Sequence, residues 1–234
     1  MSIIAEVKPT NFFKLAAKNG KSEFYKEGEV FHSQDFPKRL FLLKSGYVKR
    51  YQATRFSDKV LELIYAPGYI ISLSQLYKML FGVDQNEENF IYVYQAMTDA
   101  EVITVDADFV VEELKNKPEL YQDFFYESGL RLRSNIFRLA SNSIKDDYQK
   151  VAHQIVGLAK EFAGLKEGDT RKSIKLPLPQ SNSDIAEQLN ISEEVTEAII
   201  NSFVKQKIIK CKDGTFEIVN VDLLKDIYLR DIDI

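Results

Sequence analysis

The stretch that most constrains this 234-residue chain lies between residues 180 and 219. Ser181-Asn182-Ser183-Asp184-Ile185-Ala186-Glu187-Gln188-Leu189 reads as one short amphipathic helix, with Ile185, Ala186 and Leu189 on its apolar face. A second begins at Glu193 and carries Val195, Ile199, Ile200 and Phe203 on its own apolar face. Only Asn190-Ile191-Ser192 separates them. Ser181-x-x-Asp184 has the form of a capping box, Ser192 suits the N-cap of the second helix, and the small Ala186 admits a close helix-helix approach. That spacing is a helix-turn-helix arrangement. Residues 208–212 and 215–219 then read as strands around Asp213-Gly214, a strong short-range hairpin signal. Helix-turn-helix followed by hairpin is a winged helix. The same helices alone would also suit a three-helix packing motif without nucleic acid.

Upstream, the hydrophobic period changes twice. Residues 24–31, 40–43, 47–51, 60–65 and 91–94 are short runs of β-branched and aromatic residues, with Gly28, Gly46 and Gly68 between them. They predict a sandwich or rolled barrel. Residues 72–81 interrupt it as one or two helical turns, and residues 82–89 form a polar loop. From Pro118 to Asn142 the period is helical, and Tyr121, Phe125, Ser128, Leu132, Asn135 and Leu139 recur at alternating steps of four and three. Pro118 suits the first helical position. A second set, Leu120, Phe124, Leu130 and Phe137, implies that another face is buried as well. The pattern fits a dimer helix, or a core helix of a monomer. A further helix is expected over residues 146–164, and a short strand over residues 174–176.

Composition narrows the function classes. With 45% apolar residues the chain can bury a sizeable core, whereas a net charge of -4 gives no overall attraction to phosphate. Cys211, His32 and His153 are too few for a structural zinc site or an iron–sulfur cluster, and neither metal nor cofactor is expected. The first 20 residues lack a leader pattern and there is no long apolar span, so a cytoplasmic protein away from the membrane is expected. No Gly-rich phosphate loop or nucleophile–base spacing is visible, and Asp146-Asp147 and the Glu-Glu pairs at 87–88, 112–113 and 193–194 read as solvated faces. No enzyme is expected.

Tyr25-Lys26-Glu27-Gly28-Glu29-Val30, residues 40–49, Ala66-Pro67-Gly68 and Ala96-Met97-Thr98-Asp99-Ala100-Glu101-Val102 follow one another as in a sensor β-roll. With the long helix and the winged helix behind them, nearly the whole chain resembles the Crp/Fnr family of bacterial transcription regulators. The resemblance implies an α+β architecture: an N-terminal double-stranded, jelly-roll-like sensor β-roll (residues 1–117), a dimerisation helix (118–143) and a C-terminal winged helix-turn-helix domain (144–234). It further implies a homodimer, DNA as partner, a contact with RNA polymerase, and either a small-molecule effector in the roll or none.

Two departures from the family pattern matter. Cyclic-nucleotide-binding members carry an Arg-Ser or Arg-Thr pair where this chain has Phe90 and Ile91, and a glutamate near the position of Ser72 and Leu73. Without a guanidinium there, a buried phosphate lacks its bidentate partner, so an effector other than a cyclic nucleotide is expected. Tyr69, Ser72, Leu73, Phe90, Ile91 and Tyr92, with Tyr65 and Tyr94 close by in sequence, would line a pocket for an apolar or peptide-like effector; alternatively these aromatics are simply core. The cysteine cluster of oxygen-sensing members is absent.

In the recognition helix, the family's two arginines correspond to Glu193 and Ala198, while its glutamate persists as Glu194, an acceptor for a cytosine amino group. The expected DNA-facing residues are Ser181, Ser192, Glu193, Glu194, Thr196, Glu197 and Asn201, together with Lys205, Lys210 and Lys212 for phosphates. Residues 170–234 hold nine Lys/Arg against eleven Asp/Glu, yet Lys205, Lys207, Lys210 and Lys212 cluster at the start of the wing. The acidic helix leaves a second reading open, a relative with lost or redirected DNA binding that acts as a protein-interaction module.

Overall fold

The computed structural model describes residues 10–32, 38–54, 57–82, 90–171, 173–212 and 214–229. Two compact units divide within one long helix, between Leu132 and Arg133.

The first unit is built on two antiparallel sheets. β1 (Lys21–Tyr25), β7 (Ala100–Asp106) and β3 (Arg39–Ser45) form one in the order β1-β7-β3, and β2 (Val30–His32), β6 (Phe90–Ala96), β4 (Val48–Thr54) and β5 (Ser57–Tyr65) form the other in the order β2-β6-β4-β5. The four-residue apolar run in β3 follows from its place. Leu40 and Leu42 face a layer of helices, whereas Phe41 and Leu43 face the interior of the roll, so both sides of the strand are buried. The roll interior is largely aromatic: Phe31 stacks on Tyr25 at 4.3 Å and on Tyr94 at 5.2 Å between ring centroids. The expected strand over residues 24–31 is divided at Gly28, whose φ of 83° is a left-handed conformation that side chains resist.

The helical layer comprises α1 (Asn11–Asn19), α2 (Leu73–Phe81), α3 (Ala107–Asn116) and the first part of α4 (Leu120–Ser143). Its α2 is the predicted helical interruption, at nine residues somewhat more than two turns. Pro118 lies in the turn before α4 rather than in its first position; Leu120 N–H bonds to Lys117 O and Tyr121 N–H to Pro118 O. The predicted loop over residues 82–89 lies, beyond Gly82, outside the described residues.

The second unit contains the rest of α4, α5 (Asp147–Phe162), β8 (Ile174–Lys175), α6 (Asn182–Leu189), α7 (Glu193–Lys205), β9 (Ile209–Lys212), β10 (Thr215–Ile218) and α8 (Val221–Tyr228). Its core draws Val151, Ile155 and Leu158 from α5, Ile185 and Leu189 from α6, and Ile200 and Phe203 from α7. Arg171 closes the end of α5 by donating to Ala163 O and Gly164 O, and the adjacent Asp169 holds its guanidinium in place. Phe137 of α4 lies flat on His153 of α5, 4.1 Å between centroids. Gly157 makes room for that ring; a Cβ there would stand 2.0 Å from Phe137 Cε1.

Candidate nucleic-acid interface

Local rules set the helix-turn-helix. Ser181 Oγ accepts from Asp184 N–H while the Asp184 carboxylate accepts from Ser181 N–H, which is the capping box read in the sequence. Asn190 ends α6 in the left-handed region at φ 53°, which turns the chain toward Ser192, the N-cap of α7. Below the turn, buried amides run in series. Gln154 of α5 donates to Gln188 of α6, Gln188 donates to Gln180 Oε1 at 3.2 Å, and Gln180 N–H bonds to Gly214 O in the wing at 2.7 Å. These bonds fix α6, α5 and the wing turn to one another.

On α7, Glu193, Glu194, Glu197 and Asn201 are exposed, as are Lys205 at its end, Lys207 in the following turn and Lys210 and Lys212 on β9. Lys210 Nζ lies 3.8 Å from Glu217 Oε2 on β10. Glu194 is held below the ordinary carboxylate range by bonds from its own backbone N–H and from Ser192. It remains anionic, and part of its accepting capacity stabilises the helix end. Thr196 corrects the expectation. It is fully buried and its hydroxyl donates to Ser192 O at 3.0 Å, so it supports the turn from inside instead of facing a groove. Ser181 and Ser192, although exposed, direct their hydroxyls to the helix caps. The wing is the antiparallel sheet β8-β10-β9, with Lys212 paired to Thr215; Gly214 has φ 67°, while Asp213 lies outside the described residues.

Residues 149–227, covering α5 through α8, match the family described as a Crp-like helix-turn-helix domain. Electron transport regulator A of Shewanella oneidensis is 23% identical over 200 residues, spanning 86% of this chain and 75% of the relative. A CooA variant from Carboxydothermus hydrogenoformans superposes with a TM-score of 0.68 at 18% identity, covering 97% of this chain and 96% of that one. FixK2 from Bradyrhizobium japonicum gives 0.66 at 15% identity, over 89% of this chain and 96% of that one. Residues 149–227 thus carry a Crp-like helix-turn-helix domain, and the chain as a whole shares the fold of solved Crp/Fnr-family regulators.

Helix α4 covers the stretch expected to be a dimerisation helix. Phe125, Leu132 and Leu139 of the predicted seam are exposed by 62%, 62% and 66%, and Ile136 by 57%. The other predicted line shifts by one residue: Ser128 turns inward to receive the Tyr77 hydroxyl at 2.7 Å, and Asn135 is half-buried. Gly129 and Ile136 take their places, so the open stripe is Phe125, Gly129, Leu132, Ile136 and Leu139, still at steps of four and three.

Among the described residues of the roll, the predicted pocket does not gather as one lining. Ser72 and Leu73 are core: Ser72 Oγ receives Phe41 N–H at 2.9 Å and Leu73 packs in the helical layer. Tyr69 and Tyr92 border the roll interior, and the side chains of Phe90 and Ile91 lie outside what is described. The sequence reading missed the charge at the roll's edge. Arg50 of β4 is 6% exposed, pairs with Glu62 of β5 at 2.6 Å and lies 4.9 Å from the Tyr92 ring centroid. Arg131 of α4 reaches the Tyr65 ring at 5.1 Å. Glu127, one turn before Arg131, is 3% exposed; burial pushes its carboxyl up to about 7 against the opposing pull of Arg131 and a bond from Ile70 N–H. Tyr65 and Tyr94 are core residues, as the alternative reading has it, with charged groups beside them. An arginine in sequence next to a tyrosine carries no sign that the fold will bury it, whereas the polar residues on the buried flank of α4 were a usable hint.

Proposed function

We propose that the chain works in the cytoplasm as a homodimer that binds a specific DNA site through α7 and the wing, with an effector other than a cyclic nucleotide governing it through α4. The observation that carries this reading is the exposed face of α7 running into Lys205, Lys207, Lys210 and Lys212, inside a domain that matches the Crp-like helix-turn-helix. The lysines would hold phosphates and fix the docking register. Asn201 and the carboxylates of Glu194 and Glu197 would accept from or pair with base edges, which favours adenine and cytosine amino groups over guanine. The open stripe on α4 has the spacing of a two-helix seam and supports pairing with a second copy. Phe90 and Ile91 in place of the family-type phosphate-binding pair support the exclusion of cyclic nucleotides.

The test is titration with DNA fragments from upstream of its own gene. Specific sites should be favoured over random DNA by about 10³ or more at physiological salt. Equal affinity for both would overturn the reading. Leu132→Glu with Leu139→Glu should give a monomer in sedimentation and weaken site binding, since one half-site would then be read at a time; an unchanged dimer would place the subunit contact elsewhere.

A further inference from the structure

Arg131 and Arg50 meet at the Tyr65 ring. Arg131 uses Nη1 on the Tyr65 hydroxyl at 3.5 Å, and that hydroxyl donates onward to Ile71 O at 3.1 Å. Its Nε and Nη2, which together form one side-on edge of the guanidinium, are buried and have no acceptor among the described residues. Arg50 Nε is in the same position, although Arg50 Nη2 is satisfied by Glu62. Buried donors left unpaired cost about 1–3 kcal/mol each, and more when charged. Two parallel N–H groups on one edge match the paired oxygens of a carboxylate or a phosphate.

The surroundings narrow the choice. Both guanidiniums lie against the Tyr65 ring, with centroid distances of 5.1 Å for Arg131 and 5.8 Å for Arg50, and the Tyr92 ring flanks Arg50. Flat aromatic walls favour a flat body. The carboxyl groups of Glu62 and Glu127 each present a buried oxygen, Oε2, without a donor among the described residues, so the site already holds acid groups, which favours a ligand of low negative charge.

We propose that the free Nε/Nη2 edge of Arg131, beside Tyr65 and Arg50, receives the carboxylate of a small, flat organic monoacid, and that this acid is the effector. The inference rests on reading the roll as a sensor. Arg50 belongs to strand β4 and Arg131 to helix α4, so a ligand held by both ties the helix to the strand. Occupancy would thereby bias the position of the helix that bears the exposed stripe.

The experiment is calorimetric titration of the full chain with benzoate and 2-naphthoate, with cyclic AMP and sodium chloride as parallel arms. Arg131→Gln and Arg131→Lys are measured alongside, each checked for an unaltered melt. Saturable binding of a flat acid is expected, weakened at least about tenfold in both variants, because lysine keeps the charge but loses the fork. No saturable binding of either acid, equal affinity in the variants, or a chloride response of the same size would overturn the site and leave ordinary buried water as the partner of these donors. DNA affinity read in the same samples separates the two layers of the claim. A cyclic AMP response that persists in Arg131→Gln keeps the sensor and overturns the carboxylate. Binding of the acid with DNA affinity unchanged supports the site and overturns the sensor.

Discussion

Up to Leu132, α4 meets its neighbours with buried polar groups beside the apolar Leu120 and Phe124. Asp123 accepts from Phe12 N–H, Glu127 from Ile70 N–H, Ser128 faces Tyr77 and Arg131 faces Tyr65. Beyond Arg133 the same helix meets α5 through a ring. Phe137 lies on His153 over the bare Gly157, and Ser141 Oγ stands 2.7 Å from His153 Nδ1. A fitted ring against a histidine marks the second contact, and a buried carboxyl with an incompletely paired guanidinium marks the first. A packed ring tolerates little displacement, whereas a buried carboxyl and an incompletely paired guanidinium respond to protons and to anions. The winged-helix end of α4 is thus held by a fitted ring, and the roll end by groups that include a titratable carboxyl.

The largest expected effect breaks the ring contact. In Gly157→Val the new side chain must expel the Phe137 ring, at a cost of about 3 kcal/mol or more by overpacking, read as a drop in melting temperature. Phe137→Ala combined with it should recover part of the loss, because the clash is then removed. An unaltered melt in Gly157→Val would mean that the ring does not occupy this hollow.

Next comes the pH dependence of the roll end. Glu127 holds its proton up to about 7 in the folded state, while the unfolded chain releases it near 4.5. The folded state therefore binds more protons between these values. The contribution is complete below pH 4.5 and is lost as pH rises toward 7, by roughly 3 kcal/mol at most. Glu127→Gln should flatten this slope. His153 works in the opposite sense: burial, and then Lys160, lower it to about 4 from 6.5, so stability near it falls as pH drops from 6.5 toward 4. Amide exchange measured along α4 should show its first half better protected at pH 5 than at pH 7, and its second half less so. Parallel changes in both halves would contradict the distinction.

The smallest effect concerns the wing. Lys205→Ala and Lys212→Ala should each lower the slope of log affinity against log salt by about 1, with base preference unchanged. A changed preference with the slope intact would make them base readers.

What the sequence disclosed divides along the same line. The helix-turn-helix was legible because its signals are local: Ser181 with Asp184, Asn190, Ser192 and the glycine at 214 act within a few residues of themselves. Helix α3 is absent from the sequence reading although Asp106 caps it and Ala107, Val110 and Leu114 have helical spacing, because its apolar residues follow the β-branched run of β7 without a break. The arginine pair could not be read, since Arg50 and Arg131 lie 81 positions apart and only the roll brings both to Tyr65. Thr196 was misassigned for a related reason. Four residues after Ser192 it can turn its hydroxyl back to that carbonyl, and the buried face of α7 claims it.

Hydroxyl-radical footprinting of the full chain on a DNA site selected from a random pool tests the central claim most directly. A dimer docking two copies of α7 predicts two protected half-sites centred about one helical turn apart, symmetric in sequence and rich in adenine and cytosine contacts. A single protected half-site, or protection without any sequence preference, would contradict it.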